Sequence, residues 1–176
     1  MITETKLRGA FVVEPERFAD ERGFFAKVWS EAEFAAAGIG ARFVESNLSF
    51  SRRRGTIRGM HFQTAPYAQG KLVRCTRGAI YDVGVDLRPD SPTFRQWVGV
   101  ELSADNRRML YLPGEFAHGF QTLEDDTEVF YQVSAVYAPG HNAGVRWDDP
   151  AFRIEWPHAD ERVIIARDRE YPDFTG

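Results

Sequence analysis

A series of runs along the chain follows the period of a β-strand, or is β-prone throughout, and each is cut short by turn residues. They are Lys71 to Thr76, Ala79 to Leu87, Gln96 to Leu102, Arg108 to Leu112 and Thr127 to Tyr137. Material such as Arg88-Pro89-Asp90-Ser91-Pro92 and Leu112-Pro113-Gly114 separates them. One good helix signal stands apart, Ser30 to Gly38, in which Ser30 can cap, Glu33 completes a capping box and Gly38 terminates. Short strands in succession, without long intervening helices, weigh against a doubly wound α/β domain. They predict a mainly antiparallel two-sheet sandwich or jelly roll, whose interior is wide enough for a ligand. Beyond Trp156 the pattern through Val163-Ile164-Ile165 to Tyr171-Pro172 is less regular, and it is expected to fold back over the sheet with Arg167 and Asp168.

With 176 residues the chain reads as one domain, 1–176, in preference to two small ones; a chain of this size buries roughly two-thirds of its surface unaided. Lys and Arg total 22 against 26 for Asp and Glu, a formal charge of −4. Such a surface has no general attraction for nucleic acid or an anionic membrane, so any positive patch is local. The single Cys75 has no internal partner and fits a reducing compartment. No export signal opens the chain, and no segment approaches the roughly 20 apolar residues of a membrane span. A cytoplasmic location is expected.

Within Gly55 to Gly78 the chain gathers Arg58, His61, Lys71 and Arg74 between glycine-marked turns and a short β-prone run. Cations around a histidine point to an anionic, oxygen-rich small molecule and acid–base chemistry. In Ala79 to Leu87 the period of two places Tyr81, Val83, Val85 and Leu87 on one face and Ile80, Asp82, Gly84 and Asp86 on the other. The second face either looks to solvent or enters a polar cavity, with Gly84 leaving room for a ligand. Tyr131 falls with Thr127, Val129 and Val133, and reads either as a core ring or as a site residue.

Histidines number four, and His61 and His118 each sit in glycine-flanked segments. Two histidines and a carboxylate would suit a transition metal, but the chain has neither a close histidine pair nor a carboxylate adjacent to one, and none follows His61 until Asp82, so no metal is expected. His118 is credible as a structural residue. His61, with Arg58 beside it, reads as the chemical one, because a neighbouring cation disfavours a second positive charge.

Several segments, in order and over nearly the whole chain, resemble the dTDP-4-dehydrorhamnose 3,5-epimerase family. They are Asp20-Glu21-Arg22-Gly23-Phe24-Phe25, GTIRGMHFQ, QGKLVRCTRGAIYDVGVDLRPDSPTF, WVGVELSADNRRMLYLPGEFAHGFQTL, Phe130-Tyr131, Tyr137-Ala138-Pro139, Gly144 to Pro150 and Ala166-Arg167-Asp168. The resemblance implies a cupin-like double-sheet antiparallel jelly roll with a short N-terminal helix and an irregular C-terminal segment. It also implies a homodimer, no metal or cofactor, and a nucleoside-diphosphate 4-keto-6-deoxyhexose as substrate.

Matched residue by residue, the resemblance makes His61 the catalytic base and Asp168 the carboxylate that holds it. Lys71 becomes the cation beside the 4-keto oxygen, and Tyr131 the acid on the opposite face of the sugar. Arg58 and His118 match residues holding the sugar and diphosphate, Arg22 and Phe25 match a segment reaching the nucleotide across the dimer, and Arg167 matches a basic position beside the carboxylate. Asp82 is a cavity carboxylate by pattern and is assigned to organising Lys71 or His61. Asn47 falls in the nucleotide-contacting stretch. Lys27, Glu45, Ser46 and Asn142 depart from the family pattern at the nucleotide or the rim, which bears on which base and sugar are bound. The run Ser51-Arg52-Arg53-Arg54 is more basic than usual, and is either a solvated turn or an attractor of the diphosphate.

The resemblance thus points to inversion at C3 and C5, taking dTDP-4-dehydro-6-deoxy-D-glucose to dTDP-4-dehydro-L-rhamnose. The alternatives are a C3-only mono-epimerase, a sugar 3,4-ketoisomerase and a noncatalytic sugar-binding jelly roll.

Overall fold

Side chains of alternating polarity can all be buried only if each sheet face has something to lie against, and the architecture reflects how three faces are covered. The computed structural model describes residues 1–176. In chain order its strands are β1 (Ile2–Glu4), β2 (Phe11–Val13), β3 (Arg17–Asp20), β4 (Gly23–Ala26), β5 (Glu45–Ser51), β6 (Ile57–Gln63) and β7 (Lys71–Arg77). Next come β8 (Ala79–Asp86), β9 (Trp97–Ser103), β10 (Met109–Leu112), β11 (Phe116–Thr122), β12 (Thr127–Val133) and β13 (Asn142–Gly144). Two short α-helices, α1 (Glu31–Ala36) and α2 (Ala166–Arg169), and one 3-10 turn, Pro139–His141, complete the elements.

A six-stranded sheet in the order β1-β2-β10-β7-β12-β5 faces a five-stranded sheet in the order β13-β6-β11-β8-β9, and β3-β4 form a separate hairpin. Every ladder is antiparallel. This is a cupin-like jelly roll. Between the sheets, Val73, Cys75, Leu110, Leu112 and Val129 meet Ile80, Val98, Leu102, Phe116 and Phe120 in one apolar cluster. Outside the six-stranded sheet, Phe34 of α1 and the neighbouring Ile39 cover Val13, Leu72, Met109 and Tyr111. Outside the five-stranded sheet, Val145 and Phe152 cover Met60, Val83, Val85 and Ala117. No helix is long and apolar enough to cross a membrane.

That third layer decides which way the two faces of β8 look. Tyr81, Val83, Val85 and Leu87 pack under the segment after β13, while Ile80, Asp82 and Asp86 are buried on the other face. The polar face is therefore interior, not solvent-facing. The room at Gly84 is taken by Leu112, whose Cδ2 would lie 2.4 Å from an added Cβ, and not by a ligand.

The helix signal is realised with one change. Ser30 Oγ accepts from the Glu33 N–H at 3.5 Å, but the Glu33 carboxylate does not return to Ser30; it accepts from Lys27 Nζ at 2.5 Å. At the other end Gly38 has φ +86°, its N–H donates to Ala35 O at 2.9 Å, and Ile39 N–H donates to Phe34 O at 2.8 Å. That is a Schellman closure with its apolar contact, Phe34 and Ile39 both being buried.

The run expected to continue to Tyr137 stops at Val133, because both neighbours run out there: Val133 pairs with Lys71 on β7 and with Glu45 on β5, each the first residue of its strand. The next backbone groups are taken up by glutamine side chains. Gln69 Nε2 donates to Ala135 O, Gln63 Nε2 donates to Val136 O, and Ala138 N–H donates to Gln63 Oε1.

At the end of β8, Asp86 accepts from Arg88 through Nε at 2.9 Å and Nη2 at 2.8 Å, from Ser91 Oγ at 2.5 Å and from Thr93 Oγ1 at 2.6 Å. Burial alone raises the pKa of this carboxyl, but these donors outweigh it and hold it at about 2, below the usual 3.8. A depressed folded-state pKa gives stability that is present above the ordinary carboxyl range and lost as pH falls through about 2. Asp86→Asn is expected to lose roughly 2 kcal/mol at neutral pH and to flatten the acid side of a stability–pH profile, measured by urea unfolding.

Candidate active site

One half of the sandwich interior is closed by apolar side chains; the other half is open and polar, a cavity of about 350 Å³. The five-stranded sheet lends it Ile57, Arg58 and His61 from β6 and His118 and Phe120 from β11. The six-stranded sheet lends Ser49 from β5, Lys71 from β7 and Tyr131 from β12. Thr56 and the C-terminal residues Val163, Ile165, Arg167 and Asp168 complete the wall.

His61 and His118 are register partners on neighbouring antiparallel strands, so both rings project to the interior side of the sheet. Each has its own carboxylate: Nε2 of His61 lies 2.8 Å from Asp168 Oδ1, and Nε2 of His118 lies 2.7 Å from Asp82 Oδ1. Sequence reasoning assigns Asp82 to Lys71 or His61. Its hydrogen-bond partner is instead His118, because His118 sits directly opposite Gly84 in the β8–β11 ladder, one side-chain step from Asp82 on the same face.

Asp168 arrives on α2, a helix of four residues, and is fully engaged. Oδ1 also accepts from Arg167 Nε at 3.2 Å, and Oδ2 accepts from the Gly59 N–H at 3.2 Å. Burial works to raise its pKa; the hydrogen bond and charge of His61, the Gly59 N–H and Arg167 together outweigh that and leave it lowered. An ionised carboxylate only accepts, so the 2.8 Å contact requires Nε2 of His61 to carry a hydrogen. Arg167 Nη2, 3.2 Å from that nitrogen, is then its neighbour and not its donor. Nδ1 is left as the basic nitrogen of the ring.

Lys71 is buried, with Nζ donating to the backbone oxygen of His61 at 3.1 Å. Burial pushes its pKa down to about 8 against the opposing pull of Asp82. Tyr131 faces His61 from the opposite sheet. Burial raises its pKa, with Arg58 working the other way, so the phenol stays protonated at neutral pH. Arg58 is braced across the sandwich mouth, donating through Nε to Ser51 Oγ at 3.1 Å and through Nη2 to Phe50 O at 2.8 Å.

Seven of the residues singled out from sequence thus meet in the cavity: His61, Lys71, Tyr131, Asp168, Arg58, His118 and Arg167. Others lie outside it within one chain. Arg22 and Phe25 are exposed on the β3–β4 hairpin, Arg22 being paired with Asp20, and Lys27 is paired with Glu33. Glu45 and Asn47 fall on the same face of β5 as the cavity residue Ser49, with Glu45 accepting from the Tyr137 N–H at 3.3 Å. Asn142 begins β13 opposite Gln63. Reasoning from sequence missed Ser49, Thr56, Ile57, Phe120, Val163 and Ile165; in the tail, the alternation of Val163 and Ile165 was the available signal. No group of three or more His, Cys, Asp and Glu side chains converges as a metal centre would require.

The profile described as dTDP-4-dehydrorhamnose 3,5-epimerase matches residues 4–176. The chain belongs to that family. It is an enzyme of the dTDP-4-dehydrorhamnose 3,5-epimerase family. The Sinorhizobium fredii dTDP-4-dehydrorhamnose 3,5-epimerase is 46% identical over 173 residues, covering 98% of this chain and 86% of that protein. The crystal structure of the Bacillus anthracis 3,5-epimerase with TDP and PPi bound superposes with a TM-score of 0.94 at 45% identity, covering 99% of both chains. A 3′-monoepimerase from Streptomyces bikiniensis, in complex with dTDP-quinovose, superposes with a TM-score of 0.89 at 33% identity, covering 97% of this chain and 86% of that one.

Further contacts that support the His61–Asp168 pair lie outside the cavity. Tyr171, three residues after Asp168, lies against Gly144, the register partner of His61 on β13. A Cβ at 144 would come within 2.3 Å of the Tyr171 ring. Further on, Asp173 pairs with Arg146 at 2.8 Å and Phe174 N–H donates to the buried Asp149 at 2.7 Å. Gly144→Ala is expected to lift Tyr171 and draw Asp168 from His61, cutting turnover roughly 10- to 100-fold. Hydrogen exchange over residues 163–176 checks this, with faster exchange confined to that segment as the expected result.

Proposed function

We propose that this enzyme inverts C3 and C5 of a nucleoside-diphosphate 4-keto-6-deoxyhexose, converting dTDP-4-dehydro-6-deoxy-D-glucose to dTDP-4-dehydro-L-rhamnose. The observation that carries the reading is the placement of His61 on one sheet, paired with Asp168 of α2, and of Tyr131 on the other sheet, across a cavity with Lys71 in its wall. Epimerisation needs a base and an acid on opposite sides of one carbon, since a proton returned from the original side restores the starting centre. The substrate class comes from what the named relatives act on.

In this mechanism Nδ1 of His61 takes the C3 proton, and the electron pair of the broken C–H bond moves toward C4 and its oxygen. The Lys71 ammonium favours the resulting enolate over the ketone. Tyr131 delivers a proton to the opposite face of C3 as the enolate returns to the ketone, solvent reprotonates Tyr131 and takes the proton from His61, and the same exchange then occurs at C5. Arg58, His118 and Arg167 hold the sugar and diphosphate. A second reading, inversion at C3 alone, draws on the likeness to the Streptomyces bikiniensis 3′-monoepimerase.

A homodimer completes the reading, with Arg22 and Phe25 reaching the nucleotide site of the partner beside Lys27, Glu45, Asn47 and Asn142. In its favour, Phe18, Phe24 and Phe25 of the hairpin and Leu48 and Phe50 of the edge strand β5 are all exposed in the single chain. Sedimentation equilibrium is expected to return a dimer, and Phe25→Asp a weaker one with a raised KM.

Incubation with dTDP-4-dehydro-6-deoxy-D-glucose in deuterated water is expected to place deuterium at C3 and C5 with inversion at both. Exchange at C3 alone would establish the second reading, and exchange at neither centre would overturn both. His61→Ala is expected to lower exchange roughly a hundredfold or more. Tyr131→Phe is expected to retain proton abstraction while losing inverted product. Because the ammonium of Lys71 is the active form, kcat/KM is expected to fall as pH rises through about 8.

A further inference from the structure

The proton transfers at His61 and at Tyr131 leave the charge of Asp82 without a task. Asp82 lies in the middle of β8, wholly buried. Its Oδ1 meets His118 Nε2 at 2.7 Å, while Oδ2 is buried with no hydrogen-bond partner. Leaving a buried polar atom unsatisfied is costly, and more so when it is charged. An asparagine would offer His118 the same acceptor without the charge, so the His118 contact by itself does not call for a carboxylate.

The groups around Lys71 show where that charge acts. Its Nζ spends one of three donors on His61 O and makes no ion pair. The same cavity brings Arg58 and His61 from β6, His118 from β11, Tyr131 from β12 and Arg167 and Asp168 from α2. Arg58 and Arg167 oppose a further positive charge. Asp168 has both oxygens committed, to His61, Arg167 and Gly59. Lys71 is the register partner of Leu112, whose side chain lies over Gly84, two residues from Asp82 on the same face of β8; Asp82 is thus the anion behind this wall with an oxygen to spare, and its field works against the burial of Lys71.

We infer that Asp82 is a positioning residue with two duties: Oδ1 fixes the ring of His118, and the charge carried on the unpaired Oδ2 keeps Lys71 an ammonium at the cavity wall. The residue acts through its neighbours and does not touch substrate. The consequence for turnover rests on the epimerase reading above; the consequence for Lys71 does not.

The test is Asp82→Asn, which preserves shape and the acceptor for His118. In substrate-free protein, the pH dependence of Lys71 acetylation by acetic anhydride, followed by peptide mass spectrometry, reports the free amine directly. Its midpoint is expected to drop by roughly one pH unit in the variant, as for loss of a nearby opposite charge. The alkaline limb of kcat/KM is expected to move the same way. An unchanged midpoint would overturn the inference, even if kcat fell, because a merely structural role would lower activity without moving Lys71. Should Asp82→Asn fail to fold, His118→Gln leaves the carboxylate in place and is expected to keep the parental midpoint; a drop there would equally overturn it. Failure of the parent protein to exchange any dTDP-hexulose proton would sink the epimerase reading while the Lys71 titration still decided this one.

Discussion

The 2.8 Å contact between His61 and Asp168 joins residues 107 positions apart, and much of the molecule is arranged so that it can form. The histidine is fixed by a strand in the middle of a ladder, with β11 on one side and β13 on the other. The carboxylate has no such support, since four helical residues cannot hold a side chain in place by themselves. Its position comes from both flanks: before it, Val163 bridges to Thr56, and after it six residues dock a tyrosine against a glycine, an aspartate on an arginine, and an amide on a buried carboxylate. An undocked, flexible loop could present the same carboxylate only at greater entropic cost.

The interior is divided between two solvents. Where β8, β9, β10 and β7 meet, apolar side chains fill the space, and that half carries the hydrophobic stabilisation of the sandwich. Where β6, β11, β12 and β5 meet, the same gap holds cations, imidazoles and carboxylates. Charges there lose hydration, so each has to be satisfied by a neighbour or have its ionisation shifted. Asp168 takes the first course and Lys71 the second. The dry half is thus what allows the wet half to exist at the centre of a small protein, because it supplies the burial that offsets these costs.

Strands bounded by clear turn residues were legible in the sequence, including β8 and β10, which are buried along nearly their whole length, whereas β5, β6 and β11 were not read as strands. β12 alternates because its inner residues Thr127, Val129 and Val133 are buried while its outer ones are not. Every residue of β11 is buried, so no alternation marks it. Its glycine and that of β6 look like turn signals, yet they sit inside the strands: a Cβ on Gly59 would lie 2.4 Å from Gly119 Cα, and the ladder shifts register between His118 and Phe120. The glycines mark a bulge and a close backbone approach. In the cavity, the chemistry-bearing residues stood out by type and by resemblance. The apolar wall did not, because Ile57 and Phe120 are indistinguishable in sequence from core, and because the pairing of Asp82 with His118 depends on the β8–β11 register, which no local pattern encodes.

The place of the carboxylate along the chain has a consequence for how the enzyme is made. Synthesis runs from the N-terminus, and every strand of both sheets precedes Asp168. The sandwich can therefore close around its cavity while the residues that orient the imidazole are still inside the ribosome. A nascent sandwich of this kind has its cavity before it has its carboxylate, and the imidazole of His61 gains its partner only when the segment around Asp168 and Tyr171 lies down beside β13.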